Sequence, residues 1–271
     1  MLILNSSLLN AVKDIAHQAG EHLKRFYAHS VEIKIKANNT PVTEADLFLS
    51  QFIIQQLQQL TPTIPVLSEE NCVIPLTERA NWQEYWIIDP LDGTQQFINR
   101  ITDQFSIAIS LVQHNQPVIG IIYAPILAKT YFAMRTSGAF LQENGIIRPL
   151  TPHKIMANNE RLRIAMGATN RTTVAQCLQQ PLQADIFQYG SSSLKAGLVA
   201  EGKADCYIRL GDTGEWDTAA AEVLLNEIGG KIFDLNFQPL SYNQRQHFIN
   251  LHFVMVADKQ ADWQKIFQFN E

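Results

Sequence analysis

Apolar residues recur at helical spacing through the first part of the chain. Leu8, Leu9, Val12, Ile15, Ala16, Ala19, Leu23 and Phe26 fall on one face, which predicts an amphipathic helix turned toward a core. Its polar face carries few basic residues, which favours a core-facing helix over a membrane-surface one. Positions 31–35 alternate apolar and polar, the pattern of a strand or extended arm. Asn38-Asn39-Thr40-Pro41 reads as a turn. A second helix carries Leu49, Phe52, Ile53, Leu57 and Leu60, and Thr61-Pro62 and Ile64-Pro65 stop it. Thr43-Glu44-Ala45-Asp46 ahead of it fits a capping box, which by itself accounts for Asp46.

The pattern then changes to strands. Val66-Leu67 is a short apolar run leading into Ser68-Glu69-Glu70, and positions 71–84 form a polar excursion. Tyr85-Trp86-Ile87-Ile88 is apolar and partly β-branched, a buried strand. Asp89 is expected to end it, because Pro90 cannot donate to a central ladder. Asp92-Gly93 makes a turn, and Thr94 opens a short helix over positions 95–99. Runs at 105–112, 118–123, 130–135 and 139–142, with turn chemistry at 113–117 and 124–129, predict an antiparallel meander, and 146–150 adds a last strand. Positions 151–161 are polar and carry Pro152, so the boundary is placed there. One unit of 1–271 results, with an α+β subdomain at 1–155 and an α/β subdomain at 156–271. In the second part, strands at 163–168, 186–189, 206–210, 231–235 and 253–257 alternate with helices. These lie at 172–179, after Gly190-Ser191-Ser192-Ser193, and from Trp216 to a stop at Gly229-Gly230, with a short one at the end. The expectation is an α/β layer packed on the antiparallel one.

Charge and composition narrow the function. With 271 residues the chain can bury roughly three quarters of its unfolded surface. The net charge is −5, from 21 basic and 26 acidic residues without a basic block, so a nucleic-acid polymer is not an expected partner. Cys72, Cys177 and Cys206 are far apart and form no zinc pattern, as expected of free thiols in a reducing compartment. No signal peptide and no transmembrane segment is legible, which places the expected site of action in the cytoplasm.

The chemistry gathers at the ends of elements. Asp89 and Asp92 follow an apolar strand and lie beside a helix start, where N–H groups suit a phosphate and carboxylates suit Mg²⁺. Glu69-Glu70 also follows a strand, although alone it reads as a solvated acidic loop. Asp217 sits where a helix N-cap belongs. Glu69, Asp89, Asp92 and Asp217 would repel if gathered without a cation. With cations they would make an oxygen cage for two hard metals, which can activate water and stabilise a leaving oxygen.

Ser68-Glu69-Glu70, Asp89-Pro90-Leu91-Asp92-Gly93-Thr94 and Trp216-Asp217-Thr218-Ala219-Ala220 resemble the three signatures of the inositol monophosphatase superfamily of lithium-sensitive, Mg²⁺-dependent phosphatases. The resemblance spans nearly the whole chain and implies that superfamily's layered αβαβα sandwich. Within it, Asn39-Thr40-Pro41-Val42-Thr43, Pro65-Val66-Leu67-Ser68-Glu69-Glu70 and Tyr189-Gly190-Ser191-Ser192-Ser193-Leu194-Lys195 resemble the branch of CysQ-type 3'(2'),5'-bisphosphate nucleotidases, with one extra serine. Arg209 fits the same pattern. The resemblance implies that Glu69, Asp89 and the Leu91 carbonyl hold a first Mg²⁺, and Asp89, Asp92 and Asp217 a second, with a third ion allowed. It implies that Gly93 and Thr94 meet the scissile phosphate, that Thr94 with Asp46 activates water, and that Glu70 assists.

Glu69, Leu91, Asp92, Gly93, Thr94 and Asp217 thereby border the substrate. Ser192, Ser193, Lys195 and Arg209 are candidates for the nucleotide's other phosphate, sugar or base, although ordinary surface charge accounts for Lys195 and Arg209 equally well. Trp216 reads as a packing anchor. The implied substrate is a small nucleotide bisphosphate, adenosine 3',5'-bisphosphate hydrolysed to AMP, together with its 5'-phosphosulfate analogue. An inositol- or sugar-phosphate phosphatase is the alternative activity, and a catalytically silent phosphate-binding protein the alternative class. The resemblance allows a monomer or homodimer, and peripheral attachment to the cytoplasmic face of the inner membrane.

Overall fold

The computed structural model describes residues 1–36, 40–155, 161–168, 171–179, 182–250 and 252–269. Helix α1 (Ser6–Ala28) starts on Asn5, whose side chain accepts the Leu8 N–H at 2.9 Å. Strands β1 (Ile33–Ile35) and β2 (Pro41–Thr43) pair antiparallel. Asn38 and Asn39 of the expected turn lie outside the described residues. Helix α2 (Glu44–Leu60) opens on the expected capping box: Thr43 and Asp46 satisfy each other's backbone N–H groups. Strand β3 (Val66–Ser68) delivers Glu69 and Glu70 at its end. The polar excursion contains a short helix, α3 (Leu76–Arg79), which the sequence pattern did not signal.

Strand β4 (Glu84–Asp92) corrects one expectation: it does not end at Asp89. Asp89 pairs with Ala108 and Asp92 with Ser106, so Pro90 and Leu91 stand opposite the single residue Ile107. This is a bulge, and it absorbs the proline where no ladder N–H is needed. Helix α4 (Thr94–Asn99) follows Gly93, which is left-handed at φ 94°, a conformation that glycine adopts without strain. Strands β5 (Ser106–Gln113), β6 (Gln116–Ala124), β7 (Lys129–Met134), β8 (Ala139–Glu143) and β9 (Ile146–Pro149) complete the meander. The seven strands run in the order β3 to β9, with β3 parallel to β4 and all later pairs antiparallel.

The second part follows the predicted alternation. Its elements are β10 (Leu162–Met166), α5 (Arg171–Gln176), β11 (Ala184–Gln188), α6 (Ser192–Ala200), β12 (Cys206–Arg209), β13 (Thr213–Gly214), α7 (Trp216–Glu227), β14 (Lys231–Asp234), β15 (Ile249–Asn250), β16 (Phe253–Val256) and α8 (Trp263–Ile266). A five-stranded sheet has the order β11-β10-β12-β16-β14, parallel across β11, β10 and β12 and antiparallel at β16. Residues 156–160 of the expected boundary lie outside the described residues.

Five layers result, as the apolar faces require. Helices α1 and α2 cover one face of the larger sheet through Leu8, Val12, Leu23, Leu49 and Ile53. Helices α6 and α7 lie between the sheets, where Ala196, Val199, Ala220 and Val223 meet Ala108 and Ile122 on one side and Tyr207 and Met255 on the other. Helices α5 and α8 close the outer face with Val174 and Trp263. The middle layer is tight: a Cβ at Gly120 of β6 would stand 2.4 Å from the Ala220 carbonyl of α7. That approach fixes α7, and with it Asp217, relative to the end of β4. No helix among the described residues is long and apolar enough to cross a membrane.

Candidate active site

Asp89 and Asp92 are carried by the bulged end of β4, and Asp217 by the first turn of α7. One carboxylate oxygen from each lies within 4.8 Å of those of the other two. Each carboxylate is oriented by backbone N–H groups. Leu91 N–H donates to Asp89 Oδ1 at 3.0 Å. Ser192 N–H donates to Asp92 Oδ1 at 3.1 Å and Ser193 N–H to Oδ2 at 2.7 Å. Gly214 N–H donates to Asp217 Oδ2 at 2.6 Å. Asp217 is not the N-cap that its position suggested. Glu215 holds that place, and Asp217 is the second residue of a helix that begins at Trp216. Trp216 is buried against Phe248 and Tyr85, the packing role expected of it.

Electrostatics show what the cluster can accommodate. Burial raises the Asp89 pKa well above the usual carboxylate range, and Glu69, Asp92, Asp217 and Asp46 push it further. Asp217 is raised by burial, then by Asp92 and Glu69. Buried carboxylates at this spacing are tolerable when protonated or when they share a cation. An all-oxygen, all-carboxylate donor set fits a hard divalent ion.

Glu69 and Glu70 lie beside this group. Lys36 Nζ donates to Glu69 Oε1 at 2.9 Å and to Glu70 Oε1 at 2.7 Å. Burial opposes the charge of Lys36, but the two glutamates outweigh it and hold its pKa above the ordinary value. Lys36, through this pairing, borders the candidate site, and the sequence reading missed it. The alternating arm at 31–35 was its only signal, and its partners are more than 30 positions away.

On the other side of the cluster, Thr94 Oγ1 lies 3.2 Å from Asp46 Oδ1 and 3.1 Å from the Leu91 carbonyl, donating toward both. Asp46 Oδ2 takes the Thr43 N–H at 2.7 Å and the Thr43 hydroxyl at 2.6 Å. Asp46 therefore caps α2 with one oxygen and faces Thr94 with the other. Burial raises its pKa, and the bonds from Thr43 only partly oppose the shift.

The serine-rich segment enters from the second part. Ser192 Oγ lies 3.3 Å from the Tyr207 hydroxyl, and the buried Ser193 hydroxyl has no partner among the described residues. Lys195 is buried and donates to the carbonyls of Tyr189, Gly190 and Ser191. Burial pushes its pKa down to about 8 against the pull of Asp92. Arg209 is half-buried and donates to the carbonyls of Gly211 and Asp212, at 3.3 and 2.9 Å. Its guanidinium also borders Gly167, where a Cβ would stand 3.3 Å from Nη1.

A sequence profile of the inositol monophosphatase family matches residues 4–262. The chain belongs to the inositol monophosphatase family. Among members of that family, it is 57% identical to the 3'(2'),5'-bisphosphate nucleotidase CysQ of Haemophilus influenzae, over 100% of both chains. It is 36% identical to the nucleotidase of the same name from Escherichia coli O157:H7, over 90% of this chain and 97% of that one. The crystal structure of CysQ from Bacteroides thetaiotaomicron superposes with a TM-score of 0.78 at 31% identity, covering 94% of this chain and 98% of that chain. The family is metal-dependent, and among the described residues the three aspartates form an acidic group that could hold a metal.

Proposed function

We propose that the chain hydrolyses the 3'-phosphate of adenosine 3',5'-bisphosphate to AMP and phosphate, with Mg²⁺ held by Asp89, Asp92, Asp217, Glu69 and the Leu91 carbonyl. The observation that carries this reading is the gathering of Asp89, Asp92 and Asp217 within 4.8 Å beside the Thr94–Asp46 pair. Full-length identity of 57% to a nucleotidase of that specificity supports the substrate. The 5'-phosphosulfate analogue, with the same 3'-phosphate, is proposed as a second substrate.

When bound, Mg²⁺ supplies electrostatic stabilisation of the phosphate and leaving oxygens. The chain's own groups do the rest. Thr94 Oγ1 accepts a proton from the attacking water and passes its own to Asp46 Oδ1, the oxygen that capping leaves free. The raised pKa of Asp46 makes it a better proton acceptor than an exposed aspartate. Glu70, held by Lys36, is proposed to assist through the same water. The N–H groups of Gly93 and Thr94, at the turn opening α4, are the proposed donors to the scissile phosphate. Arg209, Ser192 and the unpartnered Ser193 hydroxyl are proposed to meet the rest of the nucleotide, with Lys195 contributing charge from behind.

The test is phosphate release with Mg²⁺ from adenosine 3',5'-bisphosphate, from its 5'-phosphosulfate analogue and from inositol 1-phosphate. Preference for the first by tenfold or more in kcat/KM is expected. Preference for inositol 1-phosphate would overturn the substrate assignment, and absence of turnover on all three would overturn the enzyme reading.

A further inference from the structure

The hydroxyl of Ser191 lies where the two parts of the chain meet, and each of its hydrogen-bonding positions is used. It donates its single proton to Asp92 Oδ2 at 2.5 Å. Its lone pairs accept the Leu194 N–H at 3.1 Å and, the proton being committed to Asp92, the Ser106 hydroxyl at 2.9 Å. Ser106 is the β5 residue directly opposite Asp92 in the register. A proton-ordered chain thus runs from the larger sheet through the cap of α6 and back to a carboxylate of the larger sheet.

The backbone around Ser191 is held from both sides. Gly190 N–H donates to Gln104 Oε1 at 2.6 Å, and Ser191 N–H to the Gln104 carbonyl at 3.1 Å. Behind it, the Lys195 ammonium gathers the carbonyls of Tyr189, Gly190 and Ser191. With those carbonyls turned back, the first N–H groups of the nine-residue α6 face forward onto both oxygens of Asp92.

We propose that Ser191 is a positioning residue for Asp92: its hydroxyl fixes the rotation of that carboxylate, so that the site formed with Asp89 and Asp217 is preorganised for a divalent cation. The segment therefore serves the metal ligand through Ser191, and the nucleotide through Ser192 and Ser193. This inference rests on the metal reading given above. Partners that orient a ligating carboxylate are commonly worth about 10–100-fold in metal affinity.

The test titrates the metal-free full-length chain with Mg²⁺ by isothermal calorimetry. Ser191→Gly removes the hydroxyl, and glycine is tolerated at an N-cap. Ser191→Cys, of similar shape but with a weak donor, serves if the glycine variant fails to fold. Either is expected to weaken Mg²⁺ binding about tenfold or more and to raise the Mg²⁺ needed for half-maximal turnover in parallel. The KM for nucleotide at saturating Mg²⁺ stays within about twofold, because only uniform substrate binding would move it alone. Ser191→Thr, which keeps the hydroxyl, restores the affinity. Unchanged Mg²⁺ affinity in the glycine and cysteine variants would overturn the inference, and a raised KM alone would make Ser191 a substrate contact. Absence of Mg²⁺ binding by the unmodified chain would overturn the metal reading itself.

Discussion

Removing one carboxylate from the cluster should stabilise the metal-free chain while abolishing its response to Mg²⁺. Asp89→Asn is the perturbation of choice. Asp89 is 2% exposed, and one of its oxygens lies within 4.8 Å of an oxygen of Asp92 and one of Asp217. At that spacing each pair of full charges repels by about 3 kcal/mol at an effective dielectric constant near 20. Partial protonation relieves part of that repulsion, so a net gain of about 1–3 kcal/mol is expected without metal. Asparagine keeps the Oδ1 that accepts from Leu91, so the bulge survives. The melting temperature should rise by roughly 2–4 °C per kcal/mol at this chain length.

Mg²⁺ should reverse the order of stability. At 100 times its dissociation constant, a ligand of the folded state adds about 2.7 kcal/mol to the original chain, and little to the variant. The pH dependence has a definite sign. The folded pKa of Asp89 is raised, so its contribution is most favourable below the unfolded value near 4 and is lost as pH rises through the folded value. Metal-free Asp89→Asn should therefore show a shallower loss of stability above pH 4. The assay is urea unfolding of chelator-treated protein across pH, with and without Mg²⁺. A metal-free variant less stable than its parent, or one that keeps the full Mg²⁺ stabilisation, would refute the reasoning.

Thr94→Val should lower kcat by about 100-fold or more at nearly constant KM, and Asp46→Asn should do the same with an added loss of α2 capping, read from steady-state kinetics and melting. Gly120→Ala should destabilise by about 1–3 kcal/mol through overpacking, because its Cβ meets the Ala220 carbonyl at 2.4 Å; weaker Mg²⁺ binding should follow as α7 shifts Asp217. Glu201→Gln should cost about 3 kcal/mol in chemical denaturation, since its buried carboxylate gathers Lys129, Arg148, Lys203 and the Tyr131 hydroxyl. Burial works against the ionised Glu201, but the bonds from Lys203 and Tyr131 lower its pKa overall, so its contribution is present above pH 4.5 and is lost as pH falls through the folded value.

The layers and most element positions could be read from apolar periodicity, because each helix and strand buries one face against another layer. The meander of β5 to β9 was plain for that reason, as was the capping box at Thr43 and Asp46. The bulge at Pro90 was not, because a proline ends a strand by local rules and only the partner strand shows that two residues can face one. Asp217 was legible as a ligand candidate but misplaced as a cap, since it lies two residues past the cap, inside the first turn, where its carboxylate meets the Gly214 N–H. Lys36, Ser191 and Gln104 stayed hidden because their partners lie more than 30 positions away along the chain. Charge signs and hydroxyls can be read from a sequence, but which of them meet is set by tertiary packing.

The acidic residues divide by what holds them, and the division bears on how the site fills. Asp46, Asp89, Asp92 and Asp217 are short side chains, each fixed by at least one backbone N–H. Their positions are set by β4, α2, α6 and α7 before any cation arrives, so little rotamer entropy remains to be lost on binding. Glu69 and Glu70 are longer, and their Oε1 atoms are held by Lys36, itself a flexible side chain on the β1–β2 arm. A cation entering the aspartate set relieves repulsion outright. A cation that also takes Glu69 must compete with an ammonium already paired there. In the proposed metal site the rigid aspartates would therefore set the location of bound charge, and the glutamates with Lys36 would form its adjustable side.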